Sequence, residues 1–134
     1  MLRADIHTIR MTLHILAATV WVGGQLTLAG LVPVLRGLAE DAPRLAARRF
    51  NVIAWAALAV LFATGLWSIF EAGMADRPSE YHITLGVKLL VVGASAAGAA
   101  VHAFGRSRAA LAIGGALGLV MAIAAVFFGV MLRG

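Results

Sequence analysis

Hydropathy divides the chain into four long apolar runs separated by short polar breaks: about Met11–Leu35, Phe50–Phe70, Ile83–Phe104 and Ala109–Leu132. A helix that crosses a bilayer needs roughly 20 mostly apolar residues, and each run is of that order. The breaks carry the residues that stop helices: Gly37, Asp41 and Pro43 in the first, Gly73, Asp76, Pro78 and Ser79 in the second, and the basic turn Gly105–Arg108 in the third. Connections this short make successive helices antiparallel. The pattern predicts an all-α fold, an integral membrane antiparallel four-helix bundle forming a single transmembrane domain over residues 1–134. The alternation expected of membrane β-strands is not seen.

Composition strengthens this reading. The 134 residues are 62% hydrophobic and 13% charged, with a mean hydropathy of +0.95. A soluble domain carries about a quarter charged residues, and a disordered chain needs low hydrophobicity with high charge. The absence of cysteine excludes disulfides, thiolate metal sites and cysteine nucleophiles. The basic balance, +5 at neutral pH, raises nucleic-acid binding. The charges flank the apolar runs, however, so the expected partner is the lipid bilayer and not nucleic acid. Arg3 ahead of an apolar stretch raises a signal peptide, but the stretch is too long for the usual hydrophobic segment of one and carries His14.

Arginine placement sets the expected orientation. The first and third breaks hold six arginines: Arg36, Arg44, Arg48, Arg49, Arg106 and Arg108. The other side holds four, Arg3, Arg10, Arg77 and Arg133, offset by Asp5, Glu71, Asp76 and Glu80. Both termini are expected on the periplasmic side of a bacterial-type cytoplasmic membrane. Small residues suggest close helix contacts: Gly114 and Gly118 form a GxxxG, and Gly86, Gly93 and Ala100 recur every seven residues. Packing within the bundle is the preferred explanation, with a homodimer contact as the alternative.

Lys88 is the formally charged side chain that lies well inside an apolar run, about five residues in from its start. An ionisable group at membrane depth is by default a functional candidate; the competing account is a stem that snorkels outward, towards Glu71 or Glu80. Lys88, Ser95 and His102 follow at steps of seven and form one polar stripe. His7, His14 and Trp21 do the same on the first helix. In the bundle expected here, His7, Met11, His14, His82 and Lys88 all fall in the outer half. His7 and His82, near helix ends, also fit plain interfacial residues. Imidazole and thioether groups suit copper, here through His7, Met11, His14 and His82. Axial imidazole suits haem b, here with His14 as ligand, His82, Lys88 or a methionine opposite, and Trp21 beside the ring. No phosphate-binding loop, dinucleotide fingerprint or zinc-protease helix is present, and no catalytic residue is assigned.

Several short motifs resemble known families. His14-Ile-Leu-Ala-Ala-Thr-Val-Trp21-Val-Gly-Gly24 with Pro33-Val-Leu-Arg36, Arg48-Arg49-Phe50 with Thr64-Gly65-Leu66-Trp67, and Leu85-Gly-Val-Lys88-Leu-Leu-Val resemble the first three helices of the copper-resistance D-like (CopD-like) membrane domain. More distantly, they resemble the HemJ-type protoporphyrinogen oxidase family. The first resemblance implies copper passage or delivery from the periplasm. The second implies haem b binding, with functional positions at His14 and Lys88. Three functions are carried forward in order: a haem b-binding redox protein, a copper-handling protein, and an accessory membrane subunit. The redox partner or metal donor is left open.

Overall fold

The computed structural model describes residues 4–133; Arg3, counted above for orientation, lies outside them. Among the described residues the chain is all helix, without strands. α1 (Ile6–Ala18) passes through a single π-helical turn (Thr19–Gly23) into α2 (Gly24–Leu38), forming one continuous rod of 33 residues. α3 (Ala42–Glu71), a short 3-10 turn (Met74–Asp76), α4 (Ser79–Phe104) and α5 (Arg108–Met131) follow. The four rods are 33, 30, 26 and 24 residues long and apolar enough to cross a membrane. Their outer faces are apolar too: Leu38, Phe70, Leu90 and Phe104 are each at least three-quarters exposed. Such faces are stable against lipid and not against water. The chain is a multi-pass, all-α membrane protein.

Caps, not hydropathy, fix where the helices begin. The Asp5 carboxylate accepts the Thr8 backbone N–H and the Thr8 hydroxyl, both at 2.7 Å, and these bonds hold its pKa below the usual carboxylate range. α1 therefore starts five residues before the apolar run. Pro43 stands in the first turn of α3, where its missing N–H costs nothing. Gly73, just beyond the end of α3, has φ +59°, the left-handed conformation that closes a helix and that a side chain disfavours. α4 starts at Ser79 after the extended Pro78, four residues ahead of its apolar run. Ser107 caps α5 by accepting from the Ala110 N–H at 3.0 Å.

Contacts gather the rods into two antiparallel hairpins, one ending at Met74 and the other beginning at Ala75. In the first, the α1–α2 rod packs along α3. Trp21, 5% exposed, meets Trp55 edge-to-face with centroids 5.9 Å apart. A Cβ at Gly24 would overlap the Phe50 ring, so glycine there lets α3 approach. The π turn sits between these contacts, and Gln25 Nε2 donates to the Trp21 carbonyl at 2.8 Å. This supplies a donor inside lipid, where none comes from water.

The second hairpin closes on glycine. A Cβ at Gly98 would lie 2.6 Å from the Gly118 nitrogen, and one at Gly114 would lie 2.7 Å from the His102 nitrogen. The GxxxG thus packs within the chain. Gly86 and Gly93 do not take part, because a Cβ at either meets nothing among the described residues. The polar stripe faces α5 instead. Ser95, 1% exposed, donates to the Gly118 carbonyl at 2.8 Å. His102 Nδ1 donates to the Leu111 carbonyl at 2.6 Å. The Lys88 ammonium stands over Gly129, 3.3 Å from where a Cβ would be.

Candidate functional site

The first hairpin places two of the predicted residues in defined chemical settings. α1 carries His7, Arg10, Met11 and His14, and α3 brings Thr64, Gly65, Trp67 and Glu71 alongside in antiparallel register. His14 Nδ1 lies 2.8 Å from Thr64 Oγ1. Thr64 is buried, 5% exposed, and its hydroxyl proton is directed at the Val60 carbonyl, 2.7 Å away. A hydroxyl has one proton to give. With that proton on Val60, Thr64 Oγ1 accepts from His14 Nδ1–H, and the imidazole lone pair is on Nε2. Gly65 leaves space beside the ring, with His14 Cε1 3.6 Å from the position a Cβ would take. Along the same two helices runs an apolar cleft of about 290 Å³, lined by Leu13, Ala17, Val20, Ala56, Ala57 and Val60 among others.

One turn towards the start of α1, the chemistry is ionic. Arg10 is only 4% exposed. Its Nη1 pairs with Glu71 Oε2, and its Nη2 donates to His7 Nδ1 at 2.7 Å. Its guanidinium carbon lies 5.7 Å from the centre of the Trp67 ring. Trp67 Nε1 in turn donates to Glu71 Oε1 at 2.6 Å, so both carboxylate oxygens are held. Arg10 Nε is buried with no hydrogen-bond partner among the described residues. Sequence reasoning placed Arg10 outside the apolar run and singled out Lys88 as the charge within one. The structure shows Arg10 to be the more enclosed of the two. The signal was present in the spacing. His7, Arg10 and His14 stand at i, i+3 and i+7, one face of a helix, and Trp67 and Glu71 at i and i+4.

The remaining candidates are placed as follows. Met11 is partly exposed beside Arg10 on α1. Trp21 is enclosed against Trp55, two turns along the rod from His14. His82 is exposed in the first turn of α4, its ring edge-on to Tyr81 at 6.3 Å. Lys88 belongs to the face of α4 that packs on α5. It stands nine residues after Ser79, about 13 Å along the helix at 1.5 Å per residue, deeper in the helix than the apolar run suggested. His7 and His14 share α1; His7 takes Arg10 and His14 takes Thr64. Among the described residues no group of three or more His, Asp or Glu side chains is placed to hold a metal ion. Compared with known family models, with curated proteins and with solved structures, the chain matches none.

Proposed function

We propose that this chain is a haem b-binding redox protein of a bacterial-type cytoplasmic membrane, related to the families its motifs resemble, with His14 as an axial ligand through Nε2. The observation that carries the reading is the His14–Thr64 pair. A ligating imidazole is typically oriented by a hydrogen bond from its other nitrogen, which fixes the tautomer and raises the basicity of the donor. Thr64, with its own proton spent on Val60, supplies that bond. Haem b, when bound, would supply one-electron transfer; the protein's part is to present His14 Nε2 in one orientation within an apolar surrounding. The reading assigns one axial position. Lys88 and His82 belong to the other hairpin, and substitution tests each by itself.

The copper alternative draws on His7 and Met11 as well as His14. Arg10 counts against it, because a guanidinium donating to His7 Nδ1 occupies a donor atom and sets a positive charge where a cation would bind. The deciding experiment is the visible spectrum of the purified protein. A red preparation whose bands sharpen on reduction, and lose their low-spin form in His14→Ala, supports the proposal. A colourless protein that binds Cu(I), with stoichiometry falling in His14→Ala and Met11→Leu, replaces it with copper handling. A colourless protein that binds neither leaves an accessory membrane subunit.

A further inference from the structure

Arg36 stands in the last turn of α2, and Arg44, Arg48 and Arg49 stand in the first two turns of α3, all four exposed. Arg36 is well placed, because the carbonyl end of a helix favours a cation. Arg44 is not. It lies at the amide end of α3, which disfavours a cation, and that turn has neither an acid nor a side-chain cap. Arg48 follows Arg44 by four residues, so two like charges share one face of the helix. Of the chain's acids, Glu40 and Asp41 belong to this break, Asp5 and Glu71 to the other end of the same hairpin, and Asp76 and Glu80 to the start of α4. The break therefore sets four arginines against two carboxylates. Among the described residues, none of these side chains makes a hydrogen bond or an ion pair.

Helix length sets the level of this charge. α3 has 30 residues, about 45 Å at 1.5 Å per residue, against roughly 30 Å of hydrocarbon in a bilayer. The excess puts the first turns of α3 among the phospholipid headgroups. Leu38, 75% exposed, and Leu45, 56% exposed, stand between the arginines along the chain. Exposed leucine beside exposed arginine suits the boundary between headgroups and acyl chains, and not a surface bathed in water. A zwitterionic headgroup brings a cation along with its phosphate. An anionic one brings net negative charge, which relieves both the Arg44–Arg48 repulsion and the opposing helix dipole. We infer that the α2–α3 break is a docking surface for anionic phospholipid headgroups, held by Arg44 and Arg48 with Arg36 and Arg49 beside them. The surface belongs to the first hairpin and does not depend on the haem reading.

The test uses the absence of cysteine in the chain. Leu45→Cys, between Arg44 and Arg48 on α3, carries a single uncharged fluorophore. The full-length protein is placed in nanodiscs of phosphatidylcholine containing a small fraction of phosphatidylglycerol brominated near the glycerol or, in parallel, phosphatidylcholine brominated at the same position. Phosphatidylglycerol should quench preferentially, by about fivefold in effective binding for each arginine engaged. Arg44→Gln with Arg48→Gln should remove most of the preference while helicity by circular dichroism stays the same. Arg44→Lys with Arg48→Lys, which keeps the charge, should retain it. Arg77→Gln with Arg133→Gln, which removes equal charge from the start of α4 and the end of α5, should leave it intact. Equal quenching by the two lipids, or a preference that survives in the glutamine pair, overturns the proposal and leaves these arginines to set topology alone. Loss of the preference in the lysine pair shows that charge is not what holds the lipid, and overturns it too. Loss of the preference on adding millimolar inorganic phosphate, at constant ionic strength, overturns the lipid assignment and makes the break a site for free phosphate.

Discussion

His14 on α1 and Thr64 on α3 form a directed pair: the imidazole donates from Nδ1 to a hydroxyl whose own proton is given to Val60. Thr64→Val keeps the branched shape and removes the acceptor. If His14 ligates haem, the valine variant should bind it about 10–100-fold more weakly, the usual cost of losing a partner that orients a ligand. Thr64→Ser should restore most of the affinity. Haem titration of the three proteins, followed in the visible region, measures this. Equal affinity in all three would show that Thr64 serves packing alone.

Gly98 on α4 lies against the backbone of Gly118 on α5, closer than a methyl group permits. The obstruction is main chain and cannot swing aside. Gly98→Ala should destabilise the second hairpin by about 1–3 kcal/mol, the range for overfilling a packed contact. Gly86→Ala and Gly93→Ala should be neutral or slightly stabilising, since both positions are open and alanine favours helix. Unfolding in mixed micelles with increasing denaturing detergent gives the ranking. A loss in Gly93→Ala as large as in Gly98→Ala would contradict the packing described.

This contrast shows where sequence was informative. The four apolar runs located the rods, because length and hydropathy decide what can cross a bilayer. They misplaced three helix starts, because α1, α3 and α4 open after Asp5, Asp41 and Pro78 with polar or basic turns that precede their apolar runs. The heptad of Gly86, Gly93 and Ala100 runs along a face of α4 where Gly86 and Gly93 do not meet α5. It stands two residues from Lys88, Ser95 and His102, about 200° around a helix. The polar stripe is the one that packs on α5. His14 was legible from its depth in the run. Its partner Thr64 was not, since nothing in a single chain pairs residues fifty positions apart.

Topology rests on the arginine distribution. The six arginines of the first and third breaks cluster around Leu38–Ala42 and Phe104–Arg108, at the same end of their respective hairpins. With that end in the cytoplasm, a C-terminal green fluorescent reporter exported in unfolded form should stay dark, and a C-terminal alkaline phosphatase should be active. The reverse pattern would place both termini inside.

Arg10 and Glu71 give the last prediction, one of rank order. Arg10 is enclosed, while the Glu71 side chain is 45% exposed. Glu71→Gln removes the negative charge and leaves the guanidinium buried beside His7 and over Trp67, with no counter-ion in the contacts described. Arg10→Leu removes the buried charge itself and leaves a carboxylate that can reach water and still accept from Trp67. Breaking a pair costs most when the partner left behind is the enclosed one. Glu71→Gln should therefore lower stability more than Arg10→Leu, and the double variant should lie closer to Arg10→Leu than the sum of the two losses. Thermal or detergent unfolding of the four proteins completes the cycle. If Arg10→Leu is the more damaging single change, the stem of Arg10, packed between α1 and α3, matters more than its charge, and the ionic cluster is a by-product of that packing.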